Sequence, residues 1–284
     1  MYDTLITVEQ LKSLDDPLLL DCRFVLSTSP DDRDAGLRAY REGHIPGAAY
    51  MHLEDDFSSP ITPESGRHPL PDAHILQAKL DALGLTPARQ VVLYDDSGAA
   101  FASRGWWLLR WLGHRATAVL NGGWSAWQAA GGDVERAEAD REVLGITDAV
   151  ADPACVVTAD SLQTELETNS CLLVDARAPE RFRGEVEPLD PVAGHVPGAL
   201  NLPFTDNLDN GCFPEPEILR QRWQTLLGER SPEAVVHMCG SGVTACVNQL
   251  AMEYCGLNGS RLYAGSWSEW IRDTGRPVAK NDAC

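Results

Sequence analysis

The sequence predicts an α/β fold built twice: two tandem domains, each a mostly parallel sheet flanked by helices. Three observations carry this. Short continuous apolar runs such as Leu18–Asp21 and Val91–Tyr94 suit strands buried on both faces. Helical patterns such as His74–Leu83 and Phe101–Leu112 lie between the runs, and that alternation points to parallel pairing. Four local signals of the first half then recur in the second half in the same order.

The repeat can be followed element by element. Leu18-Leu19-Leu20-Asp21-Cys22-Arg23 returns as Leu172-Leu173-Val174-Asp175-Ala176-Arg177. Gly43-His44-Ile45-Pro46-Gly47-Ala48 returns as Gly194-His195-Val196-Pro197-Gly198-Ala199. Val91-Val92-Leu93-Tyr94-Asp95-Asp96-Ser97-Gly98 matches Val235-Val236-His237-Met238-Cys239-Gly240-Ser241-Gly242, and Gly123-Trp124-Ser125-Ala126-Trp127 matches Ser266-Trp267-Ser268-Glu269-Trp270. The period is too long for a solenoid. The stretch from Gly131 to Pro153 carries Glu135, Glu138, Asp140, Arg141 and Glu142 with little apolar periodicity, and reads as a linker. The expected boundaries are residues 1–132, a linker over 133–154, and residues 155–284.

Composition narrows the partners. The chain has 284 residues, 44% hydrophobic, enough for two ordinary cores. A formal charge of −19 argues against nucleic acid or an anionic membrane as the main partner. No apolar run reaches the roughly 18 residues that a spanning helix needs. Met1-Tyr2-Asp3-Thr4 lacks the basic-then-apolar pattern of a secretory signal. The eight cysteines are scattered without a CxxC pair, so neither a zinc site, another cofactor nor a disulfide framework is expected, and the expected compartment is a reducing cytoplasm. Most should be small buried hydrophobes.

One cysteine differs. Cys239 follows the apolar run Ala234–Met238 and precedes the helical pattern Val243–Cys255, which Gly256 closes. A thiol where a strand turns into a helix meets backbone N–H groups and the positive end of the helix dipole. Such settings lower a cysteine pKa from ~8.5 to roughly 3.5–7.5. Asp95 stands at the matching position of the first half, so thiolate chemistry is expected once, in the second domain.

These motifs resemble the two-domain rhodanese-type sulfurtransferases over essentially the whole length. The loop Cys239-Gly240-Ser241-Gly242-Val243-Thr244 is similar to that of the branch using 3-mercaptopyruvate. Members that prefer thiosulfate carry basic residues after the cysteine, where Gly240 and Ser241 stand here. The resemblance implies that Cys239 takes sulfur from a small donor, releases pyruvate, and passes its persulfide to a thiol such as thioredoxin, to a small thiol, or to cyanide. It implies that Gly240, Gly242, Val243 and Thr244 cradle the sulfur with their amides, and that Arg181 binds the donor carboxylate.

A second arginine expected shortly before Gly194 is replaced by Leu189-Asp190, leaving Arg183 to substitute or the donor to differ; Arg104, at the start of the helix after the Asp95 loop, is a further candidate facing the cleft. His68, Ser241 and Glu54 occupy the places of a proton relay. His44 and His195 occur in both halves and so read as structural. The competing readings are a thiosulfate:cyanide sulfurtransferase and a non-catalytic sulfur-relay module. A Cys-dependent phosphatase is disfavoured because residues 239–246 contain no arginine.

Overall fold

The computed structural model describes residues 1–137 and 150–281. The chain resolves into two compact units. One comprises Met1–Ser59 with Leu70–Asp152; the other comprises Pro60–Pro69 with Pro153–Cys284. Ten residues from the first half of the sequence thus pack with the second half. Part of the expected linker, residues 138–149, and Cys284 lie outside the described residues.

The first unit runs β1 (Leu5–Ile6), α1 (Val8–Lys12), β2 (Leu18–Asp21), α2 (Ala35–Glu42), β3 (Ala49–Tyr50), α3 (Ala73–Ala82), β4 (Val91–Tyr94), α4 (Ala102–Trp111), β5 (Thr117–Leu120) and α5 (Gly123–Ala129). Its sheet has the order β1-β5-β4-β2-β3 with every pair parallel. β2 and β4 are buried at every position, as continuous apolar runs require. Helix starts follow local chemistry. Thr7 and Gln10 form a capping box on α1, and Asp72 accepts the His74 and Ile75 amides to start α3. Gly131–Glu135 stays with this unit: Glu135 exchanges backbone hydrogen bonds of 2.9 Å with His44.

The second unit runs α6 (Ala159–Glu167), β6 (Leu172–Asp175), α7 (Pro179–Phe182), β7 (Leu200–Asn201), α8 (Pro216–Leu227), β8 (Val235–Met238), α9 (Ala245–Tyr254), β9 (Arg261–Leu262) and α10 (Ser266–Trp270). Its parallel sheet has the order β7-β6-β8-β9. The register repeats that of the first unit: Leu18 to Asp21 face Val91 to Tyr94, and Leu172 to Asp175 face Val235 to Met238. The edge strand matching β1 shrinks to one parallel bridge, Val156 to Leu262.

The repeated motifs do the same work in each unit. Arg23 forks onto Asp21 and lies 4.7 Å from the Trp124 ring; Arg177 forks onto Asp175 and lies 4.8 Å from that of Trp267. His44 Nδ1 donates to Tyr40 O (2.8 Å) while stacked on the Tyr40 ring. His195 Nδ1 donates to Phe182 O (2.7 Å) while stacked on Phe182.

Candidate active site in the second unit

Cys239 is the first residue after β8, at the carboxyl end of the sheet, where open parallel sheets bind ligands. The following loop runs into α9, whose first turn points its amides back along the chain. The cysteine backbone is tied at both ends. Its N–H donates to Ser266 Oγ (3.1 Å), and its carbonyl accepts the Trp267 N–H (3.1 Å). Gly240 O accepts from Ser268 N (2.9 Å). Gly242 has φ +76°, and a methyl group there would lie 2.2 Å from Ala264 O, so only glycine fits. Val243 and Thr244 lead into the helix, their carbonyls accepting the Cys246 and Val247 amides (3.1 Å each).

The segment Pro60–Pro69 brings His68 to this loop. Gly66 packs so closely that a Cβ would lie 2.5 Å from Gly265 O. Arg67 N–H donates to Ser268 Oγ (3.0 Å), and Arg272 Nε to Ser65 O (3.2 Å). Between these anchors, His68 Nδ1 and Ser241 Oγ are hydrogen-bonded at 2.8 Å, although 173 residues apart in sequence. Both side chains are buried.

Arginines line one side of the loop. Arg181 forks onto Glu187 (2.7 and 3.2 Å) and lies 3.5 Å from Asp190 Oδ2. Glu187 also meets Arg177 Nη1 at 3.4 Å and accepts the Leu189 and Asp190 amides, which locks the 187–190 turn. Arg67 pairs with the other Asp190 oxygen. Burial opposes the charge of Arg177, but Asp175, Glu187 and the Cys239 sulfur outweigh it and hold the guanidinium above its ordinary value. A methyl group at Gly240 would lie 2.9 Å from Arg67 Nη2 and 3.4 and 3.5 Å from the Arg181 Nη atoms.

The remaining candidates have partners of their own. Arg183 forks onto Glu185 (2.8 and 3.1 Å) at the surface. Arg104 belongs to the first unit, fully buried in α4, its Nη2 3.5 Å from Phe57 O. Glu54 is also in the first unit, 3.5 Å from Arg33 Nε. Arg67 and Arg177 were missed by sequence reasoning. Arg177 had a signal, since Asp-x-Arg ends the matching strand in both halves; Arg67 had none. Among the described residues, no group of three or more His, Cys, Asp or Glu is placed to hold a metal ion. Nor is any helix among them long and apolar enough to cross a membrane.

Fold and site together define a duplicated parallel α/β protein with one cysteine loop and one copy of that loop lacking the cysteine. The Rhodanese-like domain matches residues 7–130 and again residues 158–273, and the chain belongs to the rhodanese family. It is 50% identical to a "Probable 3-mercaptopyruvate sulfurtransferase" of Pseudomonas aeruginosa, over 98% of each chain. The human 3-mercaptopyruvate sulfurtransferase is 38% identical over 84% of this chain and 80% of that one. Among solved structures, the 3-mercaptopyruvate sulfotransferase SseA of Escherichia coli superposes with a TM-score of 0.80 at 30% identity, covering 94% of this chain and all of that one.

Proposed function

We propose that the protein moves sulfur from 3-mercaptopyruvate to an acceptor through a persulfide on Cys239. The observation that carries this reading is the Cys239 loop flanked by the Ser241–His68 pair and by guanidinium groups at Gly240. Relatives named for the same activity add to it.

The chemistry balances without a cofactor. The Cys239 thiolate attacks the donor sulfur. An S–S bond forms, the C–S bond breaks, and its electron pair passes to the methylene carbon as the enolate of pyruvate. The proton lost from the donor thiol ends on that carbon, giving pyruvate and the Cys239 persulfide anion. The Ser241 hydroxyl and His68 imidazole, 2.8 Å apart, form the path for this proton, with Glu54 the third member of the relay to be tested. Loop amides from Gly240 to Thr244 and the amino end of α9 stabilise the persulfide. Arg181 holds the carboxylate; Arg104 and Arg183 are the alternative holders, and their substitution tests that.

In the second half-reaction an acceptor thiolate or cyanide attacks the outer sulfur and restores Cys239. We assign the reaction to a reducing cytoplasm, where a thioredoxin-type protein or a small thiol supplies the acceptor. The test is pyruvate release: 3-mercaptopyruvate should exceed thiosulfate by at least ~10-fold in kcat/KM, about 1.4 kcal/mol at the transition state. A preference for thiosulfate would overturn the reading.

A further inference from the structure

We infer that Arg67 is a second guanidinium of the donor site, gripping the same anionic head group as Arg181 and set in place by Asp190. The inference rests on the reading that Cys239 takes sulfur from an anionic donor.

Three observations point to Arg67. Its position is fixed at both ends, by the backbone hydrogen bond to Ser268 Oγ and by the ion pair of Nη1 with Asp190. Its Nη2 lies against Gly240, the residue next to the cysteine, on a glycine that Arg181 also flanks. Its Nε is buried and, among the described residues, has no hydrogen-bond partner. With Nη1 pinned by Asp190 and Nε buried, the guanidinium offers a ligand its Nη2 edge, the one beside the cysteine loop.

The carboxylates around it explain the arrangement. Asp175, Glu187 and Asp190 face Arg177, Arg181 and Arg67, so the cluster has no excess charge. An incoming anion meets oriented donors rather than a strong positive field. That selects by fork geometry and suits a singly charged carboxylate better than a compact dianion. Asp190 touches both arginines, so it spaces them as one clamp. Gly240 fits the same geometry: a Cβ there would crowd Arg67 Nη2 at 2.9 Å and touch the Arg181 guanidinium at 3.4 Å, while its own φ is not in the left-handed region. The loop carries no positive side chain because two positive side chains already occupy the space beside it.

The test separates binding of an anion from support of the loop. Cys239 is alkylated with iodoacetate, an anion, and with iodoacetamide, its neutral analogue, and the site is read by peptide mass mapping. In Arg67→Ala the iodoacetate rate should fall about 10-fold while the iodoacetamide rate stays within about 2-fold, and kcat/KM for 3-mercaptopyruvate should fall about 10- to 100-fold. Arg67→Lys should recover part of each, and Asp190→Asn should show a smaller loss in the same direction. If both reagents slow equally, Arg67 only supports the loop and the inference is wrong; if neither slows, Arg67 does not face the site and it is equally wrong. Failure of the wild type to release pyruvate would refute the donor reading instead, while the alkylation ratio would still decide on Arg67.

Discussion

The first unit's loop after β4 and the second unit's loop after β8 are the same piece of architecture with different occupants. Asp95 stands where Cys239 stands. Its carboxylate turns back into its own loop and accepts four amides: Ser97 (2.9 Å) and Ala99 (3.0 Å) on one oxygen, Phe101 and Ala102 (2.8 Å each) on the other. The backbone frame persists: Trp124 N–H donates to Asp95 O as Trp267 N–H does to Cys239 O. The first copy therefore lacks more than a sulfur atom, since its cradle is filled from within. It also shows what the cradle offers: a turn between strand and helix gathers four amides onto one acidic group, and they oppose the burial that pushes the Asp95 pKa up. In the second copy, the persulfide anion is the charge we assign to that place.

The most severe test of this comparison removes and then relocates the nucleophile. Cys239→Ser should abolish turnover, and donor treatment of the wild type should add ~32 Da at Cys239 alone. Cys239→Ser combined with Asp95→Cys should stay inactive. The relocated thiol has the amides but no counterpart of the Ser241–His68 pair or of the clamp at Gly240. Turnover by that double variant would mean that the cradle alone suffices.

Next in size are the arginines of the second unit. Arg181→Ala should lower kcat/KM for 3-mercaptopyruvate about 10- to 150-fold, the range of a lost charge-assisted hydrogen bond of roughly 1.5–3 kcal/mol. Arg183→Ala should cost less than about 3-fold, since its partner Glu185 is exposed and such pairs contribute little. Equal losses would make Arg183 part of the site.

The duplication explains how much could be read from the chain alone. Leu18–Asp21 and Leu172–Asp175 are short apolar runs whose agreement points to buried strands and to the fold class before any contact is known. The place of Cys239 between a strand and a helix was legible because both neighbours carry their own patterns. The allegiance of Pro60–Pro69 was not. Its decisive contacts, Arg67 to Asp190 and Arg67 to Ser268, span 123 and 201 residues, and no local pattern encodes them. His68 came to notice only through the resemblance, and Arg67 beside it did not. The fourfold acceptance by Asp95 was invisible too, because a side chain folding back onto its own loop leaves no periodic trace.

A smaller difference separates the strands that lead into the loops. His237 of β8 stands where β4 has Leu93. It is fully buried, packs edge-on to Trp223, and burial pushes its pKa down to about 3. The folded pKa is below the unfolded value near 6.5, so the unfolded chain binds the extra proton first. The stability held by neutral His237 is therefore complete above about pH 6.5 and lost progressively as pH falls toward 3. His237→Leu, which writes the first copy's residue into the second, should leave thermal stability at pH 7 within about 1 kcal/mol, and it should flatten the loss between pH 6 and 4 by roughly a few kcal/mol. Denaturant midpoints across that range measure it, and an unchanged acid slope would refute the assignment.

The finest contrast lies at the turn that closes each loop. Gly123 and Ser266 occupy matching positions, both at φ +54°. In the first unit glycine is compulsory, since a Cβ at Gly123 would lie 2.1 Å from Asp95 O. The second unit places a serine in the same left-handed conformation, at a strain cost of about 1–3 kcal/mol. The hydroxyl offsets it by accepting the Cys239 N–H (3.1 Å) and donating to Tyr263 O (2.9 Å). Ser266→Gly should thus relieve strain, lose two hydrogen bonds and add chain entropy to the unfolded state. These terms largely cancel, and the net stability change should stay within about 1 kcal/mol by thermal denaturation. Activity should respond more clearly, with kcat falling about 3- to 10-fold, because the amide that orients the cysteine backbone loses its partner. A variant more stable by over about 1 kcal/mol with unchanged kcat would show that the serine orients nothing, and that either copy's turn serves either loop.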